Sequence, residues 1–116
     1  MAQAQTEKVL NRLADGRKEV QCIVTGLILS SGAATIALST LKEVNDAILA
    51  VTVPSQIADE VFEYKVEVLS NSGASAVKNG VKITAKIMQL SVTNTWGNAT
   101  TGNVANATFC IRAIAS

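Results

Sequence analysis

The sequence FEYKVEV at residues 62–68 alternates apolar and charged side chains without interruption. Successive side chains of a β-strand point to opposite faces, so this alternation predicts a strand with one buried face and one solvated face. Residues 81–88, VKITAKIM, alternate in a similar way and carry lysines on the polar face. If the two strands are neighbours, the glutamates of the first and the lysines of the second lie on complementary outer faces.

A charge-free stretch covers residues 20–41. Its length suits a membrane-spanning helix, but serine, threonine and glycine interrupt the apolar run, which disfavours both a span and a secretory signal. Residues of β-tolerant types from Val20 onward lead to a turn at residues 30–32, and residues 33–38 resume the apolar pattern. The stretch therefore predicts a hairpin of two short strands, and we expect no membrane association.

Two further segments extend the pattern. Residues 47–53 alternate as a strand, whereas the apolar spacing within residues 41–50 also permits a helix, so the start of this element stays open between helix and strand. Residues 107–115 predict the last strand, and the polar residues 94–106 before it predict a loop. Short strands separated by turn signals predict an all-β fold, namely an antiparallel β-sandwich or a barrel-like domain.

The first residues predict a different element, a short N-terminal helix or arm. Thr6 suits the cap of a helix and Gly16 suits its end. Three large apolar side chains would share one face of this helix, and they are candidate interface residues: Val9, Leu10 and Leu13. So short a helix is marginal alone and needs a surface to lie on. We therefore expect an N-terminal helical arm at residues 1–16 and a β-sandwich domain at residues 17–116.

The composition argues against most chemistry. The 116 residues include ten basic and nine acidic side chains, for a formal net charge of +1, and no histidine. A chain so close to neutral has no general field that attracts nucleic acid. Without histidine, the commonest general base and metal ligand is missing. The sequence therefore assigns no catalytic, cofactor-binding or metal-binding residues, and we expect a protein that is not an enzyme, has no cofactor and binds no nucleic acid.

The two cysteines allow two interpretations. Cys22 falls in the first strand of the predicted hairpin and Cys110 in the last strand, and such strands commonly become neighbours when a sandwich or barrel closes. A disulfide between them would close nearly the whole chain. The alternative is a pair of buried free thiols that pack as small hydrophobes, which the lack of a secretion signal favours.

Trp96 is the single tryptophan and lies among asparagine, threonine and glycine residues. An exposed tryptophan on a loop is a good contact anchor for a protein or sugar partner. The alternative is a ring that folds back over the edge of the sandwich. Trp96 is therefore the fourth candidate interface residue.

Six segments occur in a characteristic order: ADGRK at residues 14–18, VQCIV at 20–24, SGAATI at 31–36, LKEV at 41–44, AILAVTV at 47–53 and ATFCIRAIA at 107–115. In this progression the chain resembles the small all-β structural proteins of tailed-virus (bacteriophage-like) particles. The resemblance implies a virion structural protein, a capsid decoration or head or tail accessory subunit that stabilises a particle through protein–protein contacts. It implies a homo-oligomer that also contacts a capsid or tail protein, and it transfers no catalytic residue.

Two functions from other classes remain open. A cell-surface or extracellular filament subunit would be secreted and would fit a bridge between Cys22 and Cys110. A small carbohydrate-binding module would use Trp96 with the neighbouring Asn94 and Asn98. All three functions depend on contact surfaces, which agrees with a charge-poor chain without assembled chemistry.

Overall fold

The computed structural model describes residues 3–53, 60–69, 78–89 and 95–115. Its regular structure is almost entirely β. The eight strands are β1 (Ala4–Arg12), β2 (Lys18–Thr25), β3 (Ala33–Ala37), β4 (Val44–Thr52), β5 (Glu60–Val68), β6 (Gly80–Gln89), β7 (Gly97–Asn98) and β8 (Thr108–Ala115). One turn of 3-10 helix at Gly102–Val104 precedes β8. The all-β prediction is confirmed.

The strands form two antiparallel sheets. The first sheet has the order β1-β2-β8-β4, and the second has the order β3-β6-β5, with the short β7 also paired to β6. Both sheets contribute to one cluster of buried apolar side chains, in which Phe109 and Ile111 come from β8, and Val81 and Ile83 from β6. No charged or polar residue is buried in the described part of the chain. The core is therefore purely apolar, and polar contacts lie at its margins.

The pairing of β5 with β6 confirms the complementary outer faces. Glu63 lies opposite Lys86 and Glu67 lies opposite Lys82. Opposite charges at directly paired positions are favourable, because side chains across an antiparallel pair lie close together. The two strands are therefore neighbours, and the condition on which the sequence predicted complementary outer faces is met.

The predicted N-terminal helix is wrong, because the residues from Ala4 to Arg12 form strand β1 along the edge of β2. The apolar residues at the helical spacing are too few to hold a helix of this length, whereas β2 offers a ladder of backbone hydrogen bonds. Val9 lies opposite the buried Val20, and the register shifts between Val9 and Asn11. The predicted boundary after residue 16 falls in the turn between β1 and β2, where Gly16 has φ 88°.

The predicted hairpin at residues 20–41 is also wrong. β2 pairs with β1 and β8, whereas β3 pairs with β6, so the two predicted partners lie in different sheets. Gly26, with φ 62°, ends β2 in the left-handed conformation that glycine tolerates best, and Leu27 then enters the core. The turn signals were placed correctly, but the chain crosses between sheets there. No helix in the described residues is long and apolar enough to cross a bilayer.

The turn before β3 contains a close approach of two backbone segments. Gly32 has φ 78°, and a Cβ atom built on it would lie 2.9 Å from the Cβ atom of Asn98 on β7. The carbonyl oxygen of Gly32 accepts a hydrogen bond from the amide of Ala85 on β6 at 2.8 Å. Position 32 is therefore held between two strands, with no space for a side chain.

The segment that the sequence left open between helix and strand forms a strand. Val44–Thr52 is β4, an edge strand paired with β8, and the register shifts between Val44 and Asp46. β8 itself lies between β2 and β4, as expected for the apolar segment that closes the described sequence. The alternation from residue 47 onward was therefore the correct indicator.

Candidate interaction surfaces

The three apolar residues assigned to the N-terminal arm do not form one contact face. Val9 is half-buried and packs against the core of its own chain. Leu10 is half-buried at the irregularity of β1, and Leu13 lies in the following turn with 37% of its surface exposed. The amide of Leu13 donates a hydrogen bond to the carbonyl oxygen of Arg17 at 2.8 Å. Leu13 is therefore the member of this set that a partner can reach most easily.

Trp96 immediately precedes β7, and 43% of its surface is exposed. β7 belongs to the second sheet and β1 to the first, so the four predicted interface residues do not lie on one sheet. Asn98 lies on β7, opposite Lys86 of β6. Asn94, the third residue of the predicted sugar site, lies outside the described residues.

Cys22 and Cys110 are free cysteines in the structure. The two residues sit on adjacent strands, as the sequence predicted, but their register separates them. Cys22 lies opposite Ile111 and is buried, whereas Cys110 lies opposite Ile23 on the outer face of the sheet. Burial raises the pKa of the Cys22 thiol to about 12, and the nearby charge of Glu7 acts in the same direction.

Polar side chains of β1 join the two sheets on one side of the molecule. The Glu7 carboxylate accepts hydrogen bonds from the backbone amide of Ser39 at 3.1 Å and from that of Thr40 at 3.0 Å. It also accepts hydrogen bonds from both hydroxyl groups, at 3.1 Å and 2.9 Å respectively. The Gln5 side-chain amide donates to Glu7 at 2.9 Å and to the carbonyl oxygen of Ala37 at 2.8 Å. We call these contacts the Glu7 bridge.

The Glu7 bridge favours the charged form of the carboxylate. Partial burial alone would raise the pKa of Glu7, but the hydrogen bonds from Thr40, Ser39 and Gln5 act against it and outweigh it. The net pKa is lowered from its ordinary value of 4.5. Glu7 therefore serves as an anionic acceptor for the turn that follows β3.

The opposite side of the molecule, between β4 and β5, carries an apolar groove. The groove has a volume of about 530 Å³, and we call it the β4 groove; its lining residues are Ala47, Ile48, Leu49, Val51, Tyr64 and Val66. Leu49 and Val51 lie opposite the buried Ile111 and Phe109 of β8. The inner face of β4 therefore continues the core toward solvent.

Tyr64, which lines the β4 groove, packs against two other aromatic rings. The rings of Phe62 and Tyr64 stack with centroids 5.8 Å apart, and Tyr64 meets Phe109 edge to face at 5.5 Å. Both geometries are favourable for aromatic pairs. Burial also raises the pKa of the Tyr64 hydroxyl.

The outer face of the first sheet has a charge-free end and a charged end. Ile23, Cys110 and Ala50 are neighbours across three strands, and Ile23 is 36% exposed. The next row includes Arg112, opposite Ile48, which is 62% exposed. A shallow pocket of about 190 Å³ at the charged end is lined by Glu19, Asp46, Ala47, Ile48, Arg112 and Ile114.

Among the described residues, no group of three or more acidic or cysteine side chains could hold a metal ion. Every buried side-chain nitrogen or oxygen atom among those residues has a hydrogen-bond partner. Comparisons with protein-family models, curated proteins and solved structures find no match to this chain.

Proposed function

We propose that this protein is a structural subunit that assembles through protein–protein contacts, in the manner of the capsid decoration or head and tail accessory proteins that its sequence resembles. One observation carries the proposal: an apolar edge strand, β4, borders the apolar β4 groove. Apolar contact surfaces of this kind are typical of interfaces in stable assemblies.

We further propose that the two sheets pack face to face as a β-sandwich. The proposal is supported by the single cluster of buried side chains to which β2, β8, β3 and β6 all contribute. A sandwich leaves two open sides where the sheet edges meet. In this protein one side holds the Glu7 bridge and the other holds the β4 groove.

The test is binding to particles. Purified protein is incubated with tailed-virus particles that lack it, and cosedimentation is measured together with the mass of the free protein in solution. Binding at a fixed number of copies per particle supports the proposal. A protein that stays monomeric and binds no particle would contradict it. The variants Leu13→Glu and Trp96→Ala then test the exposed members of the predicted interface, with Lys65→Ala on the solvated face of β5 as the control.

A carbohydrate-binding module is the second candidate, because the exposed Trp96 lies close in sequence to Asn98. It predicts binding on a glycan array that Trp96→Ala abolishes. The filament alternative predicts fibres in negative-stain micrographs of the purified protein. A closed oligomer that binds particles and no glycan would exclude both alternatives.

A further inference from the structure

The edges of the two sheets differ in how they are protected against pairing with another chain. Natural edge strands are commonly protected by charges, irregularities or short length. β1 carries Glu7, Lys8 and Arg12 and has a register shift, and β3 is only 5 residues long. β5 alternates glutamate and lysine along its length. β4 has a register shift near its beginning, between Val44 and Asp46, but no charge from residue 47 to residue 53 and no proline there.

We propose that β4 pairs with β4 of a second copy of this chain, antiparallel about a two-fold axis at Leu49. The two first sheets then join into one continuous sheet across the dimer. This inference rests on the proposed function and names the partner of the same apolar surface. It is carried by the lack of charge and irregularity from residue 47 onward in β4, together with the self-complementary pattern of these residues.

The register follows from the faces of β4. Directly paired residues in an antiparallel sheet point to the same face. With the axis at Leu49, Ala47 lies opposite Val51 of the second copy, and both face inward. Ile48 lies opposite Ala50 of the second copy, and both face outward. Ile48 is the most exposed large apolar side chain among the described residues, at 62%, and it thereby gains an apolar neighbour.

The β4 groove favours the same arrangement. It lies along the inner face of β4, where an added strand would place its own inward side chains. The axis brings the two grooves face to face, so that the two Leu49 side chains meet beside Tyr64 and Val66. The same partner therefore pairs with the edge of β4 and covers the apolar groove.

The charges of β4 permit the pairing. Asp46 is the single charged residue of β4 and lies near its beginning. The two-fold axis places it opposite Thr52 of the second copy. The two Asp46 carboxylates are then separated by six residues of strand, about 20 Å, which exceeds the screening length at physiological salt. An antiparallel dimer thus avoids like-charge contact.

The experiment introduces paired charges at positions 48 and 50 and measures dimerisation by sedimentation equilibrium over a concentration series. In Ile48→Lys/Ala50→Lys, each new lysine faces a new lysine of the other copy, and we expect dimerisation to weaken roughly 30-fold or more. In Ile48→Lys/Ala50→Glu, lysine faces glutamate, and we expect a dimer.

Both variants carry polar residues on the same exposed face, so the lysine–glutamate variant controls for folding, which far-ultraviolet circular dichroism checks directly. Ile23→Lys, on the outer face of the inner strand β2, is the control away from the edge and should remain a dimer.

A wild-type protein that stays monomeric at all concentrations would overturn the inference. So would a lysine–lysine variant that dimerises as the wild type does, or a lysine–glutamate variant that folds but stays monomeric. Dissociation by Ile23→Lys with the edge variants unaffected would likewise overturn it and would assign the interface to the outer face of the first sheet. Cosedimentation with particles, measured on the same variants, keeps the proposed function separate. A monomer that still decorates particles would refute the β4 pairing alone.

Discussion

Between β1 and β3, a carboxylate and an amide join the two sheets, whereas between β4 and β5 apolar side chains line an open groove. The first side uses directional hydrogen bonds that are satisfied within the chain. The second side leaves apolar surface that water solvates poorly. We propose that the first side, which is complete within one chain, serves stability, and that the second side serves association. The following predictions test this division, from the largest expected effect to the smallest.

Removal of residues 1–12 should cause the largest loss of stability. The change removes the Glu7 bridge and the packing of Val9, and it uncovers Cys22 on β2. We expect a loss of about 4 kcal/mol or more in the free energy of unfolding, measured by urea denaturation. Removal of residues 1 and 2 alone is the control and should have little effect. Equal stability of the two truncated chains would show that β1 is not part of the folded unit.

Leucine truncations should distinguish the two sides. Leu38, close to the Glu7 bridge, is fully buried, so Leu38→Ala should cost about 3 kcal/mol. Leu49 is half-buried on the β4 groove, so Leu49→Ala should cost about 1 kcal/mol when the protein is dilute enough to be monomeric. Thermal or urea unfolding measures both. A larger cost at Leu49 than at Leu38 would reverse the comparison.

The thiols should react at very different rates. Ellman's reagent under denaturing, non-reducing conditions should detect two free thiols, and a count of zero would establish the disulfide. In the native protein Cys110 should react at least about a hundredfold faster than Cys22, because the thiolate is the nucleophile and Cys22 is buried with its pKa raised to about 12. Removal of β1 should accelerate the reaction of Cys22. Equal native rates would contradict the assigned faces.

Glu7→Gln should have a moderate effect. The variant keeps the size of the side chain but replaces an anionic acceptor of several hydrogen bonds, and we expect a loss of about 1–2 kcal/mol at neutral pH. Glu63→Gln on the solvated face of β5 is the matched control and should change stability by less than about 0.5 kcal/mol. Similar losses in the two variants would remove the special role of the Glu7 bridge.

The Glu7 bridge also predicts a dependence on pH. Because folding lowers the pKa of Glu7 from 4.5, its contribution to stability is complete above the unfolded pKa and is lost as the pH falls through the folded pKa. The wild-type protein should therefore lose its advantage over Glu7→Gln in acid below about pH 4.5. Unfolding curves of the two proteins at several pH values should converge there. A difference that persists at low pH would contradict this account.

Local alternation predicted the β-strands well, because a strand with one wet face leaves a period of two in the sequence. The complementary charges of two of these strands were noted on the condition that the strands are neighbours, and β5 does pair with β6, with Glu63 opposite Lys86. The N-terminal segment was predicted as a helix because its three apolar residues have helical spacing. The sequence does not show that this segment can pair with the edge of β2. The crossing between sheets after Gly26 depends on long-range pairing, which turn residues alone do not specify.

The candidate surfaces were predicted less well. The exposure of Trp96 agrees with its polar surroundings in the sequence. The Glu7 bridge, by contrast, joins residues more than 30 positions apart, and the sequence holds no local sign of it. The β4 groove arises from two edge strands in different sheets. Its one sequence indicator was the lack of charge between residues 47 and 53, which is equally typical of a fully buried strand.

The close contact between position 32 and β7 restricts the substitutions that evolution can accept at that position. Gly32 combines a positive φ with a Cβ position 2.9 Å from Asn98, so a larger residue at position 32 conflicts both with its own backbone and with a side chain 66 positions away. Relatives of this protein should therefore keep glycine at position 32, or change positions 32 and 98 together with the local backbone. A covarying pair at these positions would identify distant relatives even where the strands themselves have diverged.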